Sequence, residues 1–416
     1  MRIPSLKELA RGLRKGFTIN RLPGQEHELY SQNSYTGVHV SEETALTYTA
    51  YWACVRLLSG TIASIPFITY QRLPRGKERA TGHPLYHLLH DEPNPEMDSF
   101  TFFETYMSHL VTTGNAYALI DWEDQVRIKS LWIMRPDRVS VTRDPQTKQI
   151  NYTYMIESQG PVTIPSYRVW HTPGLGYDGL VGYSPISMVR QSVGLGLATE
   201  RMGAELFGNG LTVGGTLEHP GKMSDEAQKR FLSTIKARHQ GIEKAHELLI
   251  LEEGMKFNKN NIPPEDAQFL DTRKYQKREV ATFFLIQPHK IGDMEQATFG
   301  NIEEQNIEFV VDTIRPWAVR IERSAKRQLY LPHEKSDYFS EFLMDGLLRG
   351  NIESRYRAYS IGRNWGWLSA NDVLEMENRN PIENGDVYMA PSNMMSAEQF
   401  ENQKPKPAAP AALPPA

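Results

Sequence analysis

Between Ala116 and Thr172 the chain sets out one kind of segment again and again: AYALIDW, IKSLWIM, DRVSVTRD, INYTYMI and YRVWHT. Each is short, rich in Val, Ile, Tyr and Trp, and bounded by Pro, Asp or Gly. β-branched and aromatic residues suit a pleated, half-buried surface, and the punctuating residues suit turns. The region reads as a mostly antiparallel sheet, and everything else must pack around it.

Helices precede it. Ser41 can cap a helix whose first turn carries Glu42 and Glu43, favourable charges at that end. Ala45, Tyr48, Trp52, Val55, Leu58 and Ile62 follow at helical spacing, and Pro66 stops the run before the strand-like FITYQR. Asp98 or Ser99 opens a second helix, TFFETYMSHLVTT, and Gly114-Asn115 suits its left-handed C-cap.

Helices also follow. The Gly-rich PGLGYDGLVGYSPI leads into a helix over about 184–207 that Asn209-Gly210 breaks. VGGTLEH reads as a strand, Ser224 caps the helix DEAQKRFLSTIKARHQ, and ELLILEEG with GMKFNKN reads as a returning strand. This is a small β-α-β insert. The next helix opens near Pro264, a residue tolerated in a first turn. Its middle, DTRKYQKRE, is polar on every side, so it has no large core face of its own.

The stretch FFLIQPHKIGDMEQATFGNIEEQ, from Phe283 to Gln305, then separates two long helices without supplying a catalytic set. Loops of about 12–15 residues without regular structure are usually functional. Asn301 with Glu304 reads as a capping box for the following helix, marked by Ile307, Val310, Ile314, Trp317, Ile321, Ala325 and Leu329. Pro316 lies inside it, and an interior proline predicts a kink at a cost of about 3 kcal/mol. Beyond Pro332 the chain ends in a small helical cap, with Ser369 capping its second helix. The Pro/Ala-rich tail KPKPAAPAALPPA reads as disordered.

Composition narrows function. Forty-six Lys and Arg stand against 50 Asp and Glu, a net charge of −4. A protein whose main task is gripping nucleic acid carries a basic excess, so any such contact here is local or deliberately weak. The one cysteine, Cys54, lies in an apolar helical stretch and leaves no disulfide framework or Cys-based zinc site. No run of about 18 apolar residues predicts a membrane span. The N-terminal Arg2, Lys7, Arg11, Arg14 and Lys15 read as a flexible basic arm.

Catalytic signatures are missing. GTLEHPGKM (Gly215 to Met223) has five residues between its glycines where a phosphate loop has four, and Met follows the lysine where a hydroxyl must bind magnesium. GLGYDGLVG lacks the dinucleotide fingerprint; turns and close packing account for it. HEKSD (His333 to Asp337) has no second histidine at zinc spacing, and His109, His171, His219, His239, His246 and His289 are scattered. No cofactor, metal or catalytic residue is assigned.

GNAY (Gly114 to Tyr117), IMRPDRV (Ile133 to Val139), DGLVGYSPI (Asp178 to Ile186), FGNG (Phe207 to Gly210) and NPIENGD (Asn380 to Asp386) occur in an order that resembles portal proteins of tailed bacteriophages and prophages, of the Hong Kong 97 type. The resemblance covers roughly residues 40–391. One departure is Ile286-Gln287-Pro288, where a Val-Pro-Pro-like sequence is expected.

The resemblance implies an α+β, portal-type protomer assembled as a cyclic ring, commonly of twelve copies. Its parts would be a flexible basic arm (1–40), an α/β wing (41–183), stem helices (184–208 and 264–286), a β-α-β clip (209–263), a tunnel loop (287–301), a kinked helix returning to the wing (302–345), a helical crown (346–391) and a disordered tail (392–416). It implies a non-enzymatic conduit at one capsid vertex through which double-stranded DNA is packaged and ejected. The terminase large subunit would dock first and a head-tail adaptor later. Major capsid and scaffold proteins would be further partners, and no membrane is involved. The particle would be assembled in the host cytoplasm.

On this reading His289, Lys290, Asp293, Glu295, Gln296 and Phe299 approach DNA. Lys290 and His289 would touch phosphates while the acids prevent tight capture. Gly292, Gly300 and Pro316 serve as hinges. Arg273, Lys274, Lys277 and Arg278 line the channel, and Lys229, Lys236, Arg238 and Glu243 meet the motor or adaptor. The competing reading is an enzyme or monomeric DNA-binding factor with an unrecognised site.

Overall fold

The computed structural model describes residues 33–208 except 75, 125, 145, 158 and 159, short stretches within 215–233, and residues 255–259, 266–295, 305–344, 347, 352–377 and 379–389. The chain divides into two units, Met1–Gly346 and Leu347–Ala416.

In the first unit, Ser41 caps α1 (Glu42–Thr47): its Oγ accepts from Thr44 N, and Thr44 Oγ1 accepts from Ser41 N. The single helix expected here is broken. Tyr48 is extended (ψ 114°), and α2 runs separately over Thr49–Ala63. The break follows from packing. Tyr48 is buried with its ring against Gly196, where a Cβ would stand 2.6 Å from Cζ. The new phase leaves Trp52 46% exposed, outside the core stripe it was expected to join.

β1 (Phe67–Arg72) pairs antiparallel with the short β2 (Lys77–Arg79). After α3 (Pro84–His90), Asp98 Oδ1 accepts from Thr101 N and starts α4 (Ser99–Thr113), which Gly114 ends at φ +77°. The expected single sheet is two. β3 (Asn115–Trp122) lies between β4 (Ile128–Met134) and β8 (Val169–Pro173), while β5 (Val139–Arg143), β6 (Ile150–Ile156) and β7 (Gly160–Pro165) form the other. Pro136 accounts for the division. It opens a one-turn helix after β4, and proline cannot donate to a continuing ladder. A shared cluster of Tyr117, Leu119, Met134, Tyr152, Tyr154, Ile156, Ile164 and Val169 joins the two sheets.

The glycine-rich segment is a closed loop. Gly174 N donates to Gly114 O at 2.7 Å and Tyr183 N to Leu175 O at 2.7 Å. Asn115 clamps Gly182 from both sides, accepting from its N and donating to its O. No dinucleotide is needed to explain these glycines: at Gly174, Gly176 and Gly182 backbone approaches backbone too closely for a Cβ, and Gly179 is left-handed at φ +71°.

α5 (Pro185–Gly208) packs on α6 (Asp266–Phe283), with Ser192 Oγ donating to Glu279 Oε2 at 2.7 Å. Between them in sequence, β9 (Gly215–Glu218) and β10 (Lys256–Lys259) pair antiparallel, and Asp225, Glu226, Gln228, Lys229 and Ser233 are helical. Residues 247–254, expected as strand, lie outside the described residues. α6 is exposed over 271–275, as its polar sequence predicts, but Gln276, Val280 and Ala281 are buried, and Phe284 beyond its end meets Tyr51 edge-on at 5.3 Å. The expectation of no core face therefore fails for its C-terminal half.

The Pro316 helix also differs from expectation. Residues Phe309–Ile314 form a π-helix, and α7 (Arg315–Gln328) continues it with Pro316 in its first turn. Arg315 N donates to Val310 O, five residues back. An α-helical proline collides with the carbonyl four residues before it. The wider π turn accommodates the ring without ending the helix. It also shifts the phase, so Ile307 is exposed and falls outside the expected apolar stripe. The capping box expected at Asn301 and Glu304 lies outside the described residues.

α7 lies against β8 and β11 (Tyr338–Phe342), which pairs with β1. Trp170 Nε1 donates to Ser324 Oγ, Thr172 meets the same hydroxyl, and His171 N donates to Gln328 Oε1. His171 is buried between Tyr152 and Asn115; burial, then the charge of Arg327, lower its pKa to about 3. Burial lowers His109 to about 4. Both are neutral in the folded state, whereas the unfolded chain takes up protons below 6.5. Their contribution is therefore complete above pH 6.5 and lost as pH falls toward the folded values. From pH 7.5 to 5.5 the pair should cost roughly 2–3 kcal/mol. Urea denaturation at both pH values, with His171→Gln flattening the difference, checks this; equal wild-type stability at both would exclude it.

In the second unit, Ser369 and Asp372 form a capping box at the start of α9 (Ala370–Met376), which follows α8 (Ile352–Asn364). Glu377 pairs with Arg355 at 2.6 Å and accepts from Tyr359 OH. Among the described residues no helix is long and apolar enough to cross a membrane.

Candidate nucleic-acid-facing loop

The end of α6 sets up the loop. Ile286 N donates to Ala281 O and Leu285 N to Thr282 O, so the helix closes with Leu285 left-handed at φ +54°. Glycine is the usual residue there, because a side chain costs about 1–2 kcal/mol in this conformation. Thr313 on the π-helix holds the turn by donating to Leu285 O. Gln287 then leads into a 3₁₀ turn, Pro288–Ile291, and Gly292 ends it at φ +81°. Of the two glycines expected to act as hinges, Gly292 has this left-handed conformation and Gly300 lies outside the described residues.

The turn returns Asp293 and Glu295 to α6. Arg278 Nε donates to Asp293 Oδ2 at 2.7 Å, and its Nη2 donates to Glu295 Oε2 at 2.7 Å and Asp293 Oδ1 at 3.3 Å. Lys274 pairs with the other Glu295 oxygen. Only 7% of the Asp293 side chain is exposed. Hydrogen bonds from Arg278 hold its carboxyl below the usual range, and those from Lys274 and then Arg278 do the same for Glu295. Lys274 and Arg278 are correspondingly raised. Both acids stay ionised throughout the neutral range, so the network persists there.

The remaining site residues lie as follows. Lys290 Nζ stands 5.1 Å from the Phe309 ring centroid, and burial lowers its pKa. His289 is lowered by burial and by Lys290, with Nε2 buried and lacking a hydrogen bond. Arg273 pairs with Glu200 at 3.4 Å, and Lys277 is half-buried near Gly292. Lys229 is exposed; Lys236, Arg238, Glu243, Gln296 and Phe299 lie outside the described residues. Sequence reasoning did not single out Phe309, Thr313, Leu285 or Glu308, which accepts from Gln287. Nothing local marks them, because each acts across 19–28 positions. Among the described residues, no group of three or more His, Cys, Asp or Glu could hold a metal ion.

The chain matches the family described as phage portal protein over residues 49–378. It belongs to that family. The probable portal protein of Streptomyces phage phiC31 is 34% identical over 377 residues, covering 86% of this chain and 81% of the relative. The portal protein of Enterobacteria phage HK97 is 30% identical over 364 residues, covering 86% and 85%. Among solved structures, a chain in the neck of a native gene transfer agent particle, computed with C12 symmetry, superposes with a TM-score of 0.59 at 19% identity, covering 86% of this chain and 95% of that one. The fold is thus the portal fold. Portal-family proteins are structural, non-enzymatic components of phage capsids.

Proposed function

We propose that about twelve copies of this chain close into a ring at one vertex of a phage capsid, and that double-stranded DNA enters and leaves through its centre. The observation that carries this reading is the portal-family match across residues 49–378, joined to the twelvefold symmetry in which a neighbour of the same fold was solved. In this ring α5 and α6 are the stem, residues 209–263 the clip, 287–301 the tunnel loop and 346–391 the crown. The rest of 41–345 forms the wing. The clip meets the terminase large subunit and later the head-tail adaptor. Capsid and scaffold proteins meet the outer surface, and assembly takes place in the bacterial cytoplasm.

Two physical features support the reading. Met188, Leu195 and Met202 are exposed at seven-residue intervals along α5, a seam suited to another copy. The charges near the loop also fit a conduit. Each phosphate neutralised by a cation releases counterions and adds affinity, so a channel that passes a whole genome must hold each phosphate weakly. Here the carboxylates of Asp293, Glu295 and Glu200 engage Arg278, Lys274 and Arg273.

Electron microscopy of the purified protein tests the proposal. Class averages along the axis should show a closed ring of about twelve subunits with a hole wide enough for a duplex. A compact monomer or dimer at high concentration would overturn it.

A further inference from the structure

The loop acids and the α6 cations form one network. Arg278 presents Nε and Nη2 to two carboxylates, and Lys274 meets one of them from a turn earlier on the same helix. A guanidinium fork of this kind accepts phosphate oxygens in the same geometry as carboxylate oxygens. We propose that Arg278 and Lys274 form a DNA backbone-phosphate site that the chain keeps occupied with its own carboxylates. Asp293 and Glu295 take the donors that a phosphate takes, and movement of residues 287–295 off α6 releases them.

Three observations carry this. First, Arg278 and Lys274 are one turn apart and both engage Glu295, so displacing one side chain affects both cations. Second, the pairs involving Glu295 lie in solvent, with 49% of its side chain exposed. Such pairs are individually weak and screened by salt, so DNA phosphates can compete for them without unfolding anything. Third, two left-handed backbone positions serve this movement, Leu285 just before the segment and Gly292 within it, directly ahead of Asp293. Leu285 is held there although its side chain is unfavourable in that conformation. The other charges around the network are Lys277, near Gly292, and Asp271, near Lys274. The closed position therefore presents a near-neutral surface to passing DNA, and the open position presents two cations per protomer. The site rests on the conduit reading above.

The test uses purified rings, a fluorescent random-sequence duplex as probe, and binding measured across a KCl series. Asp293→Asn with Glu295→Gln removes the competing carboxylates with little change in shape. Binding should tighten about tenfold at low salt, and log K against log salt should steepen by about 0.9 for each cation newly engaged. Glu295→Gln alone should give about half the steepening, and it serves if the double variant does not assemble. Adding Arg278→Gln and Lys274→Gln to the double variant should abolish the gain. The control pair Glu92→Gln with Glu96→Gln removes the same charge at two exposed positions elsewhere and should leave the slope unchanged. If Asp293→Asn with Glu295→Gln behaves like this control while rings form normally, the phosphate site is wrong and the conduit reading stands. If the wild-type chain forms no ring, both fall.

Discussion

Gly114→Ala is expected to cost at least about 3 kcal/mol of stability and most of the soluble yield. Gly114 ends α4 at φ +77°, a conformation that costs a side chain about 1–2 kcal/mol. The larger contribution is collision. A Cβ there would stand 1.9 Å from the Tyr183 carbonyl oxygen and 2.8 Å from its carbon. Those atoms are backbone, so no rotamer change relieves the contact. The loop cannot retreat cheaply either, because Gly174 N bonds to Gly114 O and Asn115 grips Gly182. Gly60→Ala is the matched comparison. It lies inside α2, its nearest neighbour would be Glu104 Oε1 at 3.9 Å, and alanine should add up to about 1 kcal/mol. Urea midpoints of the two variants should therefore move in opposite directions. A Gly114→Ala chain as stable as wild type would show that the 174–183 loop is not held as described.

Trp170→Ala should cost about 3–5 kcal/mol, the range for removing a large buried side chain. Trp170 is fully buried on β8, with its ring 4.8 Å from Tyr106 and 6.2 Å from Phe102. Its indole N–H donates to Ser324 Oγ on α7 at 2.9 Å. It is therefore both core filler and a tie between the β3–β4–β8 sheet and the helix beyond the loop. Trp170→Phe keeps most of the volume and loses the hydrogen bond, so it should cost less, about 1–2 kcal/mol from the bond. Amide exchange should localise the effect. In the alanine variant, protection over 315–328 should fall before that of β5, β6 and β7. Uniform loss across both sheets would argue against a tie at this point.

Whatever depended on neighbours in sequence could be read from the residues. Ser41, Gly114 and Ser369 cap the helices they were expected to cap, and of Asp98 and Ser99 it is Asp98 that does so, because a cap is a contact over three or four positions. Pairing across the fold was hidden. β11 joins β1 from some 270 positions away, and β8 passes over the four strands that separate it from β3 in sequence to pair with β3. Segments of similar composition do not record such choices. Tyr48 looked like one more member of a helical stripe, and only the close approach of Gly196 explains why the helix stops there. The loop shows the same division. Its start was legible from Gln287-Pro288 after the apolar end of α6. The pairing of Asp293 and Glu295 with Arg278 and Lys274 was not, because it depends on a left-handed turn at Leu285, a residue that rarely adopts one.

The π-helix before Pro316 behaves like a dislocation in a crystal. A turn closed by five-residue bonds carries one residue more than an α turn, and such a surplus can in principle migrate along a helix by exchanging hydrogen bonds. Here it is pinned. Moving it away would return the residues before Pro316 to α geometry and drive the proline ring into the Asp312 carbonyl. The defect therefore stays at residues 309–314, and so does the break in phase between the sheet-facing and loop-facing lengths of the helix. The surface that α7 gives the sheet can remain in register while the loop-facing length points along a different azimuth, set by a single imino acid.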